Sequence, residues 1–456
     1  MTVSNISALR GKRVAFITSG YAGKRFIYEK ARDLGVVITI VDSPQSWAKS
    51  LVDEGVIDTF VGVDFGQAVD QVVADILSAL RERGIELDGV CTFAELSLPI
   101  TAKLAACLEL PGSDPDVVAL TRDKHKVRKV VAGAGLSEIR SFAVHTEEDL
   151  DPAAAHVGFP AVLKPISGAD SLGVKRVNNS AELFTAFAQM QKVVSSLVVT
   201  SGALCRTPQG QTSMATDNAS RFIKLDLSLE EYLDGPEVDV DMVLFRSECF
   251  FAAVVDNGPT MEPYFAETWN LCPSILSRER QLELIAEAVS TVKALGFTDG
   301  VFHVEEKYTS RGPKIIEVNA RMGGGPIRLQ HKYVYGVDLV VEQLLSCIGV
   351  PPSVRSAIPA EPLGENRCYV SSTPNATKSG AIKSLGFLDC VRDRKDLLGV
   401  WEFIEAGASV IGPEDGQPSW LCEIALVGRN GSAELLTEMT TLVDAMLANV
   451  ADNYYL

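Results

Sequence analysis

Two stretches in the second half of the chain limit what it can fold into. Gly300-Val-Phe-His-Val-Glu305-Glu-Lys-Tyr308 alternates residue by residue. Lys314-Ile-Ile-Glu317-Val-Asn319-Ala-Arg321-Met-Gly-Gly-Gly325 is apolar and β-branched, then acidic, then glycine-rich. The segment between them, Thr309-Ser-Arg-Gly-Pro313, has turn composition, so the two predict an antiparallel hairpin. Residues two apart on a strand share a face. That groups Glu317, Asn319 and Arg321 on one side, with Glu305 able to face them from the other strand. Two carboxylates and an amide oxygen are hard donors of the kind Mg²⁺ takes when phosphate oxygens complete its shell. A solvated strand face is the plain alternative. It fits poorly, because Glu and Asn are weak strand formers and here they lead an apolar run into a glycine turn. A zinc site from His303 and Glu305 lacks a second nearby histidine, since His331 is isolated in sequence; His303 reads as packed or substrate-adjacent.

Upstream, short apolar runs at Val14–Thr18, Val37–Val41, Thr59–Val63 and Gly89–Phe93 alternate with helical stretches, including one from about Gln67 to Arg83. That pattern predicts a parallel sheet covered on both faces. A glycine turn (Gly20, Gly23) and Asp42 at the second strand's tip suggest a dinucleotide site, but the full G-x-G-x-x-G is missing, which argues against one. Glu95 follows the fourth strand directly, at the carboxyl edge where open sheets bind ligands. It reads equally as a substrate contact or as an acid at the start of the next helix. Leu110-Pro-Gly-Ser-Asp-Pro115 is a linker, and a helical region from Asp116 to Ala134 carries Lys124. Another helix spans Glu147–Ala155. Lys164 then ends an apolar strand and leads into the small-residue loop Ser167–Gly173, an arrangement that cradles phosphates without being a Walker A loop. Val198–Ser220 reads as a polar, turn-rich insertion and a candidate lid. Glu230-Glu231-Tyr-Leu233 precedes an Asp-Gly-Pro turn, and Glu237 opens a strand through Leu244. Helices are expected over Gln281–Leu295 and Asp338–Ile348, a boundary at Val350-Pro-Pro, and a last helix near Ser432–Val450.

With 456 residues there is room for two to four domains. A net charge of -17 argues against nucleic acid or an anionic membrane as partner. Nine scattered cysteines with no C-x-x-C pair predict buried free thiols in a reducing compartment. No apolar run reaches spanning length and no signal-peptide core is seen, so the expectation is a cytoplasmic protein.

Taken in order, Lys124, Lys164 with its loop, Glu230 to Leu233 with Glu237, Glu305, and Glu317-Val-Asn319-Ala-Arg321 resemble the ATP-grasp superfamily, over about residues 10–350. Within it, the Glu317–Pro326 run and Glu262-Pro-Tyr-Phe-Ala-Glu267-Thr look most like the carnosine-synthase and bacterial L-amino-acid ligase (dipeptide synthetase) branch. The resemblance implies an α/β ATP-grasp fold. Its parts would be an N-terminal parallel-sheet domain (1–112), a two-lobed α+β ATP-binding region (113–350, small lobe about 125–235, large lobe about 236–350) and a C-terminal α+β domain (351–456). It also implies ATP and Mg²⁺ as cofactors, with Mn²⁺ able to substitute, small carboxylate and amine substrates, and a homodimer.

Carried over by position, Lys124, Lys164 and the loop with Ser167, Gly168, Ser171 and Gly173 would hold phosphates. The 230–233 segment (Glu230, Glu231, Leu233) would meet adenine and Glu237 the ribose. Glu305, Glu317 and Asn319 would bind the metal, and Arg321 would stabilise the reacting centre. Glu95 and Glu267 would take the substrate ammonium and Arg328 a carboxylate, with Asn270 and Gly324 lining the pocket. Asn270 stands where dipeptide ligases carry a histidine, and Gly325 where some members carry an aromatic, which implies a differently shaped acceptor pocket. A biotin-carboxylase-like or purine-pathway ligase is the first alternative; the Arg-rich N-terminal strand signature associated with biotin carboxylases is missing. A non-catalytic nucleotide-binding module is the second, and it has no use for Arg321.

Overall fold

The computed structural model describes residues 3–166, 173–195, 197–200, 203–206, 217–218, 226–364 and 366–455. Near the N-terminus, β1 (Arg13–Ile17), β2 (Val37–Asp42), β3 (Thr59–Gly62) and β4 (Gly89–Cys91) pair in parallel in the order β3-β2-β1-β4. Alternate residues feed two cores. Phe16, Ile38 and Ile40 pack with Ile27 and Tyr28 on one face, and Ile17 and Val41 pack with Val72, Ile76 and Leu104 on the other. This two-sided burial is what the continuous apolar runs foretold. Asp42 is consumed locally: it accepts from the Ser19 N–H and from the Ser19 and Ser46 hydroxyls, so it is not a cofactor contact.

The region expected as one helix splits into Pro115–Thr121 and Lys124–Gly133. Asp123 causes the break, since its carboxylate accepts the Lys126 N–H and restarts the helix. Lys124 is therefore the first residue of the second helix.

The next sheet is antiparallel. It is built from β5 (Ser141–Val144), β6 (Ala161–Pro165), β7 (Lys175–Val177) and β11 (Leu227–Glu231) in the order β5-β11-β6-β7, with helices Leu150–Val157 and Ser180–Ser195 packed against it. Between β7 and β11 lies a small sheet of β8 (Leu197–Thr200), β9 (Ala203–Arg206) and β10 (Asp217–Asn218). The stretch expected as a polar insertion thus contains strands, in keeping with Leu197-Val-Val-Thr200. The rest of that stretch, and the loop residues Ser167, Gly168 and Ser171, lie outside the described residues.

Eight antiparallel strands form the largest sheet. They are β12 (Glu237–Phe245), β13 (Glu248–Asn257), β14 (Trp269–Cys272), β15 (Gly300–Thr309), β16 (Gly312–Asn319), β17 (Cys368–Ser372), β19 (Leu397–Glu402) and β21 (Cys422–Gly428), ordered β16-β15-β12-β13-β14-β17-β21-β19. A separate pair joins β18 (Gly380–Ala381) to β20 (Ser409–Val410). The β14–β17 pairing carries the sheet across residue 350 without a break, so the C-terminal strands extend the sheet of the 236–319 region. Helix Ser432–Asn453 packs on this extension.

The expected hairpin is β15–β16, with one departure. Glu305 pairs with Glu317 and Glu306 with Ile315, leaving Ile316 as a bulge. Ile315 therefore joins the core while Glu317 faces the opposite way, although they are two residues apart. Helix Ile327–Tyr335, unforeseen from sequence, follows the glycine run and ends at Gly336 in the left-handed conformation (φ 72°). Cys91, Cys272, Cys347, Cys368 and Cys422 are buried free thiols, whereas Cys107 and Cys390 are exposed. Among the described residues no helix is long and apolar enough to cross a membrane.

Candidate active site

Register across three strands builds the site. Asp239, Glu305 and Glu317 align, as do Asp241, His303 and Asn319, and Glu237 aligns with Lys307. These acids share one face of the sheet; Asp239 and Asp241 are buried, and Glu237, Glu305 and Glu317 are half-buried. Burial and the neighbouring Glu317 raise the Glu305 carboxyl well above its ordinary value. Burial pushes Glu237 up to about 7, with Lys307 3.7 Å away opposing the shift. Crowded carboxylates of this kind are what a divalent cation relieves. Among the described residues no three His, Cys, Asp or Glu side chains form a metal cage. Mg²⁺ is typically held by one or two carboxylates with water and phosphate supplying the rest. Glu305, Glu317 and the buried Asn319 amide fit such an ion.

Lys124 comes to this cluster from the first turn of helix Lys124–Gly133, whose Val127 and Val131 pack in the core beneath the large sheet. Its Nζ lies 2.9 Å from Glu317 Oε1, and its backbone N–H donates to the Ile166 carbonyl just past Lys164. The two lysines thus flank one space. Lys164 is buried and paired at 2.7 Å with Glu230, which also accepts two hydrogen bonds from Arg128. Burial opposes ionisation of Glu230, but Arg128 and Lys164 outweigh it and hold the carboxyl at about 2. The Glu230 side chain is therefore engaged within the protein, and its part is to neutralise and orient Lys164. Arg128, which sequence reasoning missed, also donates to the carbonyls of Ile315 and Ile316 at 2.7 and 2.6 Å, the groups around the bulge.

Where β11 meets the β15–β16 turn, the Glu231 side chain pairs with Arg140 and Arg311, and its N–H is taken by the Arg140 carbonyl. Tyr232 donates to Glu262 and lies under the Arg176 guanidinium, 4.4 Å from the ring centre. The Leu233 carbonyl accepts from Lys307 at 3.5 Å, which brings Leu233, Lys307 and Glu237 together. Gly235 makes the turn possible: its φ is 86°, and a Cβ there would stand 2.1 Å from the Tyr308 carbonyl oxygen. Gly173 also has positive φ, 80°, where the phosphate-loop segment rejoins β7.

Arg321 lies just beyond the strand and is held by Glu95 (Nε to Oε2, 2.6 Å), which also binds Arg122 at 2.7 Å. Glu95 is thus a positioning residue for Arg321 rather than an open ammonium site. Burial opposes its charge, but the two guanidiniums prevail and keep its carboxyl below the ordinary value. Arg328 is likewise engaged: it makes a bidentate pair with Asp338 at 2.9 Å and stacks over Phe26, so it is not poised for a substrate carboxylate. Asn270 donates to Asn257, which donates to Asp239. His303 lies 2.9 Å from Asp241, and His331 pairs with the other oxygen of Asp241. Despite burial, Asp239 and Asp241 raise His303 to about 10, which makes it a packed cation beneath the acids and no zinc ligand. Glu267 is exposed, and Asn375 holds its carbonyl. Gly324 is exposed with open space where a side chain would be.

Two antiparallel sheets, one of four strands and one of eight, with lysines, acids and a linker gathered between them, make an ATP-grasp architecture. Family models for the ATP-grasp N-terminal domain and the ATP-grasp domain match residues 28–112 and 157–328. The chain belongs to the ATP-grasp superfamily. It is 32% identical to carnosine synthase 1 of Gallus gallus over 83% of this chain and 40% of that protein. It is 27% identical to alanine–anticapsin ligase of Bacillus subtilis (strain 168), over 60% of this chain and 57% of that one. The chain thus spans about half or less of the length of these relatives. Its fold matches the crystal structure of an L-amino acid ligase from Bacillus licheniformis with a TM-score of 0.76 and 24% identity, covering 95% of this chain and 98% of that one.

Proposed function

We propose that this protein is an ATP- and Mg²⁺-dependent carboxylate–amine ligase that joins amino-acid-type substrates through an amide bond, releasing ADP and phosphate. The observation that carries the reading is the Glu305–Glu317 pair, met by Lys124 from the start of its helix, with Arg321 two residues past Asn319 and fixed by Glu95. The names of the relatives, a carnosine synthase and an alanine–anticapsin ligase, support the same chemistry.

In this reading Lys124 and Lys164 offset the charge of the nucleotide phosphates, and the 231–233 linker with Glu237 receives the nucleoside. Glu305, Glu317 and Asn319 would hold Mg²⁺, which draws charge off the phosphates; Mn²⁺ would substitute. The substrate carboxylate displaces ADP from the γ-phosphoryl group to give an acyl phosphate. The amine attacks its carbonyl carbon, phosphate leaves, and the amine proton passes to solvent or a nearby base. Arg321 stabilises the anionic oxygen that forms in that step. Acyl phosphates hydrolyse readily, so the cleft between the lobes must exclude water. The protein would work in the cytoplasm, as a homodimer.

Mass spectrometry after incubation with ATP, Mg²⁺ and paired amino acids tests this. The expected result is ADP, phosphate and a dipeptide-type product in equal amounts. ADP release that requires bicarbonate would overturn the reading in favour of a carboxylase, and nucleotide binding without turnover in favour of a binding module.

A further inference from the structure

One acid on the functional face has no counterpart. Glu423 sits within the apolar run of β21, opposite Trp401 on β19. Only 8% of it is exposed, and among the described residues it has no hydrogen-bond or ion-pair partner. Burial alone lifts its carboxyl to about 7. A largely buried carboxylate without a partner calls for an explanation, and a cation that the site is built to receive is one.

Its position says which ligand. β21 is the seventh strand counted from β16 in the sheet order, yet the glycine run after Arg321 reaches Glu423 across the sheet face. A Cβ on Gly325 would lie 4.0 Å from Glu423 Oε2, while one on Gly323 would lie 2.7 Å from His303 Nδ1. The glycine run therefore spans from the metal-side face to Glu423, and the absence of a side chain at Gly325 leaves the approach open. Arg321 and the Glu305–Glu317 pair stand at the phosphate end of this run, and Glu423 stands at the other. The same-face residues in registers beside Glu423, from Ala425 through Ser371 to Asn270, are neutral, so no protein cation there competes for it.

We infer that Glu423 is the counter-ion for a cationic group on the amine substrate, so that the acceptor is a basic amino acid carrying an ammonium, guanidinium or imidazolium side chain. This deepens the ligase reading and rests on it for the role of acceptor, but the site is testable without turnover.

Arginine against citrulline, and lysine against norleucine, are titrated calorimetrically into the full-length protein and its Glu423→Gln variant. The expected result is binding of the basic member at least ~10-fold tighter than its neutral counterpart, a preference that Glu423→Gln abolishes and Glu423→Asp partly restores. In turnover, Glu423→Gln is expected to lower kcat/KM for the basic acceptor by about 10²-fold while leaving acyl-hydroxamate formation from the carboxylate substrate and hydroxylamine unchanged. A wild-type protein that ignores the charge, or a variant that keeps the preference, overturns the inference. Dipeptide formation with neutral amines alone would sink it and leave the ligase reading intact. Charge-selective binding without ATP turnover would do the reverse. The fold control is the thermal midpoint, which Glu423→Gln should leave unchanged or raise, because it breaks no ion pair and removes a buried charge.

Discussion

Arg321 owes its position to a residue 226 positions away, since Glu95 grips its Nε from the edge of the N-terminal parallel sheet. A guanidinium held in place before the reaction stabilises developing negative charge without reorganising. Arg321→Ala is therefore expected to lower kcat by about 10²–10³ while ATP affinity, read by calorimetry, stays within a few-fold. An equal loss of affinity would make Arg321 a nucleotide anchor instead. Glu230 offers a second test. Its carboxyl is held at about 2 against 4.5 in an unfolded chain, so its ion pairs stabilise the fold fully above pH 4.5 and are lost as pH falls toward 2. Glu230→Gln strands Lys164 and Arg128 without their counter-ion, and about 3–5 kcal/mol of destabilisation is expected at neutral pH. Denaturant titrations across pH should show the gap to wild type closing below pH 4.5, because the protonated wild-type acid then resembles the variant. A gap that persists at pH 2 would assign the loss to packing. Lys124, Lys164, Glu305 and Glu317 were visible in the sequence because charges at the ends of apolar runs are conspicuous. The engagement of Glu95 and Arg328 was not, because an ion pair between distant segments leaves no local pattern. Glu423 was visible in principle, as a lone acid inside Cys422-Glu-Ile-Ala-Leu-Val427, and was passed over because no motif surrounded it.

At the scale of elements, the hairpin followed from alternation, while its bulge did not: Ile315-Ile316 gives no sign of which residue leaves the ladder. The bulge matters because it turns Ile315 into the core and Glu317 toward Lys124. Its carbonyls are satisfied by Arg128, which in sequence is an ordinary helix cation four residues after Lys124. One helix thus delivers a lysine to the acid cluster and an arginine to the strand that displays it. Arg128→Lys keeps a charge near Glu230 but has no fork to reach both carbonyls. It is expected to cost about 1–3 kcal/mol for each buried acceptor left bare, together with a raised KM for ATP as Glu317 loses its fixed direction. Loss of stability with an unchanged KM would separate the bulge from the site.

For the whole molecule, the largest departure from sequence concerns residue 350. Val350-Pro-Pro has the composition of a domain boundary, and a linker looks the same whether the chain then begins a new sheet or returns to an old one. Here it returns: β17 pairs with β14, and Leu271 of β14 shares a core with Val370, Ile424 and Leu426. Tyr369 and Ala425 reach further, into the core that contains Phe16, Phe251 and Tyr335. A fragment ending at 350 would bare the edge of β14 and the apolar side of Leu271, and an unpaired strand edge with exposed apolar residues aggregates. A 1–350 protein is therefore expected to be insoluble, or to bind an exposed-surface dye and turn over no ATP, even though it retains Lys124, Lys164, Glu305, Glu317 and Arg321. Size-exclusion chromatography and an ATP-turnover assay on the fragment decide the matter. A monodisperse, active 1–350 protein would show the last hundred residues to be an independent domain, and would remove Glu423 from the site along with them.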